Sequence, residues 1–265
     1  MGVTRGAAAT LPVCVFTRNR TRCAMATAEA LLSNLSCSGR AIRYVLCDDR
    51  SEPGHVDAVL SVFRNRGVEP SVHLCDGSRH GLGASMNNGL RDAFSDSDLC
   101  LRIEDDWILK RPLDVGPWCD AMGPMRIGSL RLGMMFRKPS ELVPSECGLL
   151  RVASEPHRTY TFNNQVAIVS RDLWRMLGPY VENVHPQRTE RDMAVRYNAL
   201  TLKGSRPPYV MWPEGWETMS HHGPNMAFDH AGVSTLGHRN PIPGMYSSIN
   251  DPKADEDARR RFLAG

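Results

Sequence analysis

The first hundred residues alternate short apolar runs with helix-length stretches, and that alternation leaves few folds open. "LPVCVFT" (11–17), "AIRYVLC" (41–47), "PSVHLC" (70–75) and "LCLRI" (99–103) are rich in apolar and β-branched residues and read as strands. Between them, "TRCAMATAEALLSNL" (21–35), "HVDAVLSVFRNRG" (55–67) and "GASMNNGLRDAF" (83–94) read as helices, with Val56, Val59, Leu60 and Phe63 on one helical face. Strand–helix–strand units of these lengths predict parallel pairing with right-handed crossovers, giving an α/β fold with a mostly parallel central sheet flanked by helices. In such open sheets ligands bind beyond the carboxyl ends of the strands.

Those ends carry the polar chemistry. The first predicted strand runs into "TRNR" (17–20), the second into Asp48-Asp49-Arg50-Ser51, and the fourth into Glu104-Asp105-Asp106. Three acids directly after a buried strand repel one another unless a cation lies among them. Carboxylates in that pattern suit one hard divalent cation, with phosphate oxygens completing its shell. The acids at 48–49 suit hydrogen bonds from a nucleobase N–H or a sugar hydroxyl. "HGLGASMNNGL" (80–90) sets Gly81 and Gly83 before a helix bearing Asn87 and Asn88, a place where backbone approaches a ligand and a helix N-terminus favours phosphate.

The second half is less regular. "SLRLGMMF" (129–136), "YTFNNQVAIVS" (160–170) and "PPYVMWP" (207–213) read as strands; "RDLWRML" (171–177) and "TERDMAVRYNAL" (189–200) read as helices. Glu190 and Asp192 fall near a helix start, where acids complement the helix dipole, and are candidates for a general base. "ETMSHHGPN" (217–225) carries His221 and His222, a surface loop or a late-supplied metal ligand. With no repeat or low-complexity linker, the chain reads as one domain over 1–265: a first half over about 11–110, a second over about 111–249 and a polar tail at 250–265.

Composition removes some classes of function. No apolar run approaches the length of a membrane-spanning helix, and the N-terminal stretch lacks the apolar segment of a signal peptide, so a cytoplasmic protein without a membrane span is expected. None of the eight cysteines forms a C-x-x-C pair, which speaks against structural zinc and for buried free thiols; Cys14, Cys47, Cys75 and Cys100 fall in predicted strands. Net charge is only +3, too small to indicate nucleic acid by itself. All but Lys110, Lys138, Lys203 and Lys253 of the 32 basic residues are Arg, a side chain shaped for phosphate.

"VFTRNR", "VLCDDRS", "GLGASMNNGL" and "LRIEDDWIL", in that order and spacing, resemble the nucleotide-binding half of family 2 glycosyltransferases with the GT-A fold. The resemblance covers roughly 11–110 and extends more loosely to "FNNQVAIVSRDLWRMLGPY" (162–180), "TERDM" (189–193) and "HHG" (221–223). It implies a GT-A, Rossmann-like domain and a metal-dependent, inverting transfer of a sugar from a nucleoside diphosphate sugar to an acceptor hydroxyl. Thr17 and Arg18 would then line the nucleotide pocket, with Asn87 beside it, Asp49 would contact the base with Asp48 nearby, and Asp105 would touch ribose or sugar. Asp106, with Glu104, would hold Mn²⁺ or Mg²⁺, His222 or His221 would complete the metal site, and Asp192 or else Glu190 would be the base. Two features depart from the family: Met86 precedes Asn87 where an Arg is frequent, and the first acid of the metal motif is Glu104 rather than Asp.

A carboxylate near the base favours a UDP-sugar. Arg126, Arg131, Arg137, Lys138, Arg188, Arg191 and Arg196 lie in the second half and suit an anionic acceptor, modified DNA among them; a glycan or protein acceptor stays open. Two rivals remain. A sugar-phosphate nucleotidyltransferase would want a glycine-rich loop and a lysine after the first strand, and "VFTRNRTRCAM" has neither. A non-catalytic nucleotide-sugar-binding protein would lack the base, which Glu190 and Asp192 argue against.

Overall fold

The structure is a computed structural model, and it describes residues 9–133, 142–145, 148–152, 162, 165–202, 209–213 and 228–230. The first half alternates as its sequence predicts, with a two-residue strand added where the sequence reads as the end of a helix: β1 (Thr10–Thr17), α1 (Thr21–Asn34), β2 (Leu35–Ser36), β3 (Ala41–Asp48), α2 (His55–Asn65), β4 (Ser71–Leu74), α3 (Gly81–Asp96) and β5 (Leu99–Glu104). Further along the chain come β6 (Trp107–Leu109), β7 (Leu113–Asp114), α4 (Gly116–Met122), β8 (Ile127–Arg131), β9 (Leu142–Pro144), β10 (Leu149–Val152), β11 (Ala167–Ser170), α5 (Arg171–Leu177), α6 (Pro186–Leu202), β12 (Tyr209–Pro213) and β13 (Phe228–His230).

Among the described residues, nine strands form one sheet in the order β4-β3-β1-β5-β11-β8-β12-β10-β9, so both halves of the chain share it. β4, β3, β1 and β5 are mutually parallel. β11 enters antiparallel between β5 and β8, and β10 also runs against the majority direction. The alternation of the first half did not foretell that inserted strand, because its register depends on partners distant in sequence.

Strand side chains alternate between two cores. Leu11, Val13 and Val15 of β1 face α1, α2 and α4 through Ala28, Leu31, Val59, Phe63, Cys119 and Met122. Cys14 and Phe16 face the other way, towards α3, α5 and α6 through Met86, Leu90, Leu173, Leu177, Met193 and Tyr197. The result is an α/β/α sandwich, and β1, flanked by two parallel neighbours, is buried along nearly its whole length. Cys14, Cys37, Cys47, Cys75, Cys100 and Cys119 are free, buried thiols; Cys75 lies one residue past β4. Among the described residues no helix is long and apolar enough to cross a membrane.

Register sets the site. Thr17 of β1 pairs with Asp48 of β3, and Phe16 pairs with Glu104 of β5, so three strands deliver their polar ends to one edge.

Candidate active site

The loop from β1 to α1 is held by the turn that leaves β5. Asp105 in that turn is fully buried, and its amide donates to the Phe16 carbonyl (2.9 Å). Its carboxylate accepts from the Thr17 hydroxyl (2.7 Å) and the Arg18 amide (3.2 Å), and pairs with the Arg20 guanidinium. His55, buried at the start of α2, lies 2.7 Å through Nε2 from Thr17 Oγ1 and 2.8 Å through Nδ1 from Thr21 Oγ1. Since Thr17 donates to Asp105, it accepts from Nε2–H, leaving Nδ1 to accept from Thr21. Burial lowers the His55 pKa against the opposing effect of Asp48, in keeping with a neutral ring. Burial also pushes Asp105 up to about 6, with Arg20 and the Thr17 hydrogen bond opposing it.

A second loop leaves β3. Asp48 accepts from the amide and hydroxyl of Ser51, and Ser51 Oγ accepts from the Asn19 amide (2.8 Å), so the β1 and β3 loops brace each other. Asn19 (φ 54) and Arg50 (φ 59) both lie in the left-handed region; for Arg this is a strained backbone, and it falls at the rim. Asp49 pairs with Arg18 (3.1 Å) and accepts from the Gly81 amide (2.6 Å). Gly81 adopts φ +84, which favours glycine.

Several residues expected to touch ligand also make contacts within the scaffold. The start of α3, read from sequence as a phosphate approach, receives the Asp49 carboxylate through Gly81. Gly83 serves a protein contact: a Cβ there would lie 1.9 Å from the Val181 carbonyl oxygen. Asn87 is buried, donating to the Tyr180 carbonyl (2.9 Å) and Glu182 Oε1 (2.7 Å) while its own oxygen accepts from the Tyr180 amide (2.8 Å). Met86, in the departing position, is fully buried core. Asp105 and Thr17 are turned inward because their hydrogen bonds hold the β1–α1 turn, so neither presents its polar atoms to the rim.

The rim itself is acidic. Glu190, five residues into α6 and so beyond its first turn, stands near enough for its charge to act on Glu104. Burial first, then Glu190 and Asp106, raise the Glu104 carboxyl well above its ordinary range. Burial and Asp106 likewise push Glu190 up to about 7, with Arg102 opposing. Arg102, a buried arginine of β5, donates to the Tyr180 hydroxyl (2.7 Å) and lies over the Phe162 ring. Asp106 pairs with Arg20. Asp192 instead pairs with Arg196 on its own helix, and Arg196 is anchored on the Leu177 and Pro179 carbonyls.

Sequence reading singles out neither Arg20, His55 nor Arg102 for a role. Arg20 is visible only as part of a basic segment, and Arg102 only as a charge inside an otherwise apolar strand. His221 and His222 lie outside the described residues. Among the described residues no three His, Cys, Asp or Glu side chains form a ready metal cage. The chemistry of Glu104 and Asp106 nevertheless suits a hard divalent cation: both are carboxylates at the end of β5, and the like charge of Asp106 helps to raise the Glu104 carboxyl, an effect that such an ion would relieve.

No protein-family model and no curated protein sequence matches the chain. Solved structures do match. TarS 1–349 of S. aureus superimposes with a TM-score of 0.54 at 12% identity over 96% of this chain and 70% of that one. The mannosyltransferase PcManGT of Pyrobaculum calidifontis, in complex with GDP-Man and Mn²⁺, gives 0.51 at 15% over 96% and 74%. TarS 1–349 in complex with UDP-GlcNAc gives 0.52 at 14%, and there the match spans 77% of this chain but only 58% of TarS 1–349. The chain has the GT-A glycosyltransferase fold. Within that fold the Thr17, Asp48 and Glu104 strand ends share one edge, and Glu190 of α6 is near enough for its charge to act on Glu104 there.

Proposed function

We propose that the protein is a metal-dependent glycosyltransferase that moves a sugar, with inversion, from a nucleoside diphosphate sugar to an acceptor hydroxyl. One observation carries the reading: on a GT-A scaffold, the charge of Glu190 acts on Glu104 and that of Asp106 acts on Glu190, although α6 and β5 are far apart in sequence. The solved relatives in complex with UDP-GlcNAc and with GDP-Man and Mn²⁺ support a donor of this class.

In this reading Arg18 and Asp49 stand at the rim beside the base, and Asp48 and Thr17 hold their loops. Asp105 and Asn87 act through the backbone they fix rather than by touching donor. Asp106 and Glu104 hold Mn²⁺ or Mg²⁺, with a histidine of the 221–222 pair as a further candidate ligand. When bound, the ion offsets charge growing on the leaving diphosphate. Glu190 is the base favoured by placement, since Asp192 is committed to Arg196. Its carboxylate takes the acceptor's hydroxyl proton, the acceptor oxygen bonds to the anomeric carbon, and the bond to the diphosphate breaks on the opposite side. A carboxylate near the base favours a UDP-sugar. Arg131 is buried and Arg196 is tied to Asp192 and two carbonyls, so of the described second-half arginines considered for the acceptor, Arg126, Arg188 and Arg191 are the ones that favour an anionic one.

The test is calorimetry with UDP-, GDP- and TDP-sugars, with and without Mn²⁺, on wild type and Asp106→Asn. Metal-dependent binding of one donor, lost in the variant, is expected. No binding of any donor sinks the reading.

A further inference from the structure

Arg20 caps the acidic end of β5. It occupies the N-cap position of α1, and its carbonyl accepts the Ala24 amide (2.9 Å), so its backbone is fixed. Its side chain makes no capping bond to that helix; it reaches across to both Asp105 and Asp106. The two acids have side chains 0% and 3% exposed, whereas Arg20 keeps 27%. The guanidinium therefore lies between buried carboxylates and open solvent, at the edge where three strand ends meet.

The two partners are held differently. Asp105 keeps the Thr17 hydroxyl and the Arg18 amide if Arg20 leaves. Asp106 is the carboxylate assigned above to the divalent cation. A guanidinium and a divalent cation on one carboxylate repel at contact distance. The planar fork that fits a carboxylate fits a phosphate equally well.

We propose that Arg20 is the counter-ion of the acidic motif until a divalent cation displaces it, and that it then pairs with the donor's diphosphate. The inference rests on the donor-site reading above. It makes Arg20 a binding residue whose two partners exclude each other: it weakens cation binding to the protein alone and strengthens nucleotide binding once the cation is present.

The full chain, as wild type, Arg20→Ala and Arg20→Lys, is titrated with Mn²⁺ alone by calorimetry. It is then titrated at saturating Mn²⁺ with UDP, GDP and TDP in turn. Arg20→Ala is expected to bind Mn²⁺ alone at least fivefold more tightly than wild type, and the preferred nucleotide at least fivefold more weakly. Arg20→Lys is expected to stay near wild type for Mn²⁺ alone because it keeps the charge. Opposite shifts are something a merely structural role does not produce. Both affinities weaker in Arg20→Ala makes Arg20 structural and overturns the proposal. Both unchanged makes it a spectator, and tighter Mn²⁺ with unchanged nucleotide removes the diphosphate contact; each overturns it. Either result with nucleotide still bound by wild type leaves the donor site standing, whereas no nucleotide bound by wild type overturns that reading and this one together.

Discussion

Glu190 of α6 lies within electrostatic reach of Glu104 at the carboxyl end of β5, and burial first, then the charge of Glu190, raise the Glu104 carboxyl well above its ordinary range. Two acids from distant parts of the chain thus meet at a point where neither ionises freely. The fold accepts that cost at a single edge, which is how functional sites depart from otherwise consistent packing.

The pair has a pH signature with a definite sign. Both folded-state pKa values are raised, Glu190 to about 7. Their contribution to stability is present below the unfolded carboxylate pKa of about 4.3 and is lost as pH rises through the folded values. His55 runs the other way: its pKa is lowered, so its contribution is present above the ordinary histidine value of about 6.5 and is lost as pH falls from there through the lower folded value. Glu190→Gln is therefore expected to melt higher than wild type at pH 8 and to lose that advantage at pH 5. Addition of Mn²⁺ should raise the wild-type Tm more at pH 8 than at pH 5, because protons compete for the same oxygens. Equal metal shifts at both pH values would place the ion elsewhere.

The identity of the base separates two variants. Glu190→Gln should lower turnover by about 10²- to 10⁴-fold while changing donor affinity little. Asp192→Asn should cost roughly 1 kcal/mol of stability through its Arg196 pair and leave most of the turnover. Single-turnover transfer and donor calorimetry read both. The reverse pattern would hand the role to Asp192.

Asp105 is a structural anchor by its contacts. Asp105→Ala strips partners from Thr17, the Arg18 amide and Arg20 at once, and should cost about 3 kcal/mol. Urea unfolding measures it. A cost under about 1 kcal/mol, the size of one ordinary hydrogen bond, would show that the turn is held by other contacts.

Gly83 offers a packing test away from the chemistry. A Cβ there would fall 1.9 Å from the Val181 carbonyl oxygen, so Gly83→Ala must push α3 from the 180–183 segment and should cost roughly 3 kcal/mol. Gly123→Ala is the control: its φ is −65°, nothing lies within 4 Å of the new atom, and it should be neutral or stabilising by up to about 1 kcal/mol. Denaturant midpoints of the two variants give the comparison.

Much of the frame was open to sequence reading because it is local. Period-two and period-3.6 patterns from Thr10 to Glu104 define β1, β3, β4, β5 and the three helices between them within a few residues, while the two-residue β2 carries no such pattern. The carboxyl-end rule then places Asp48, Asp49 and Glu104 to Asp106 on one edge. Tertiary structure alone decided what each polar group does there. Asp105 and Asn87 look like ligand contacts in the sequence, and their bonds to Thr17 and Tyr180 could not be read there, because those partners come from segments about 90 residues away. Glu190 and Asp192 are indistinguishable as letters two apart, yet about half a turn of α6 separates them, which leaves the charge of the first acting on Glu104 and the second paired with Arg196. Pattern along the chain reflects backbone preference and burial, which neighbours set. Charge pairing depends on distance in space, which only the packed sheet and its helices fix.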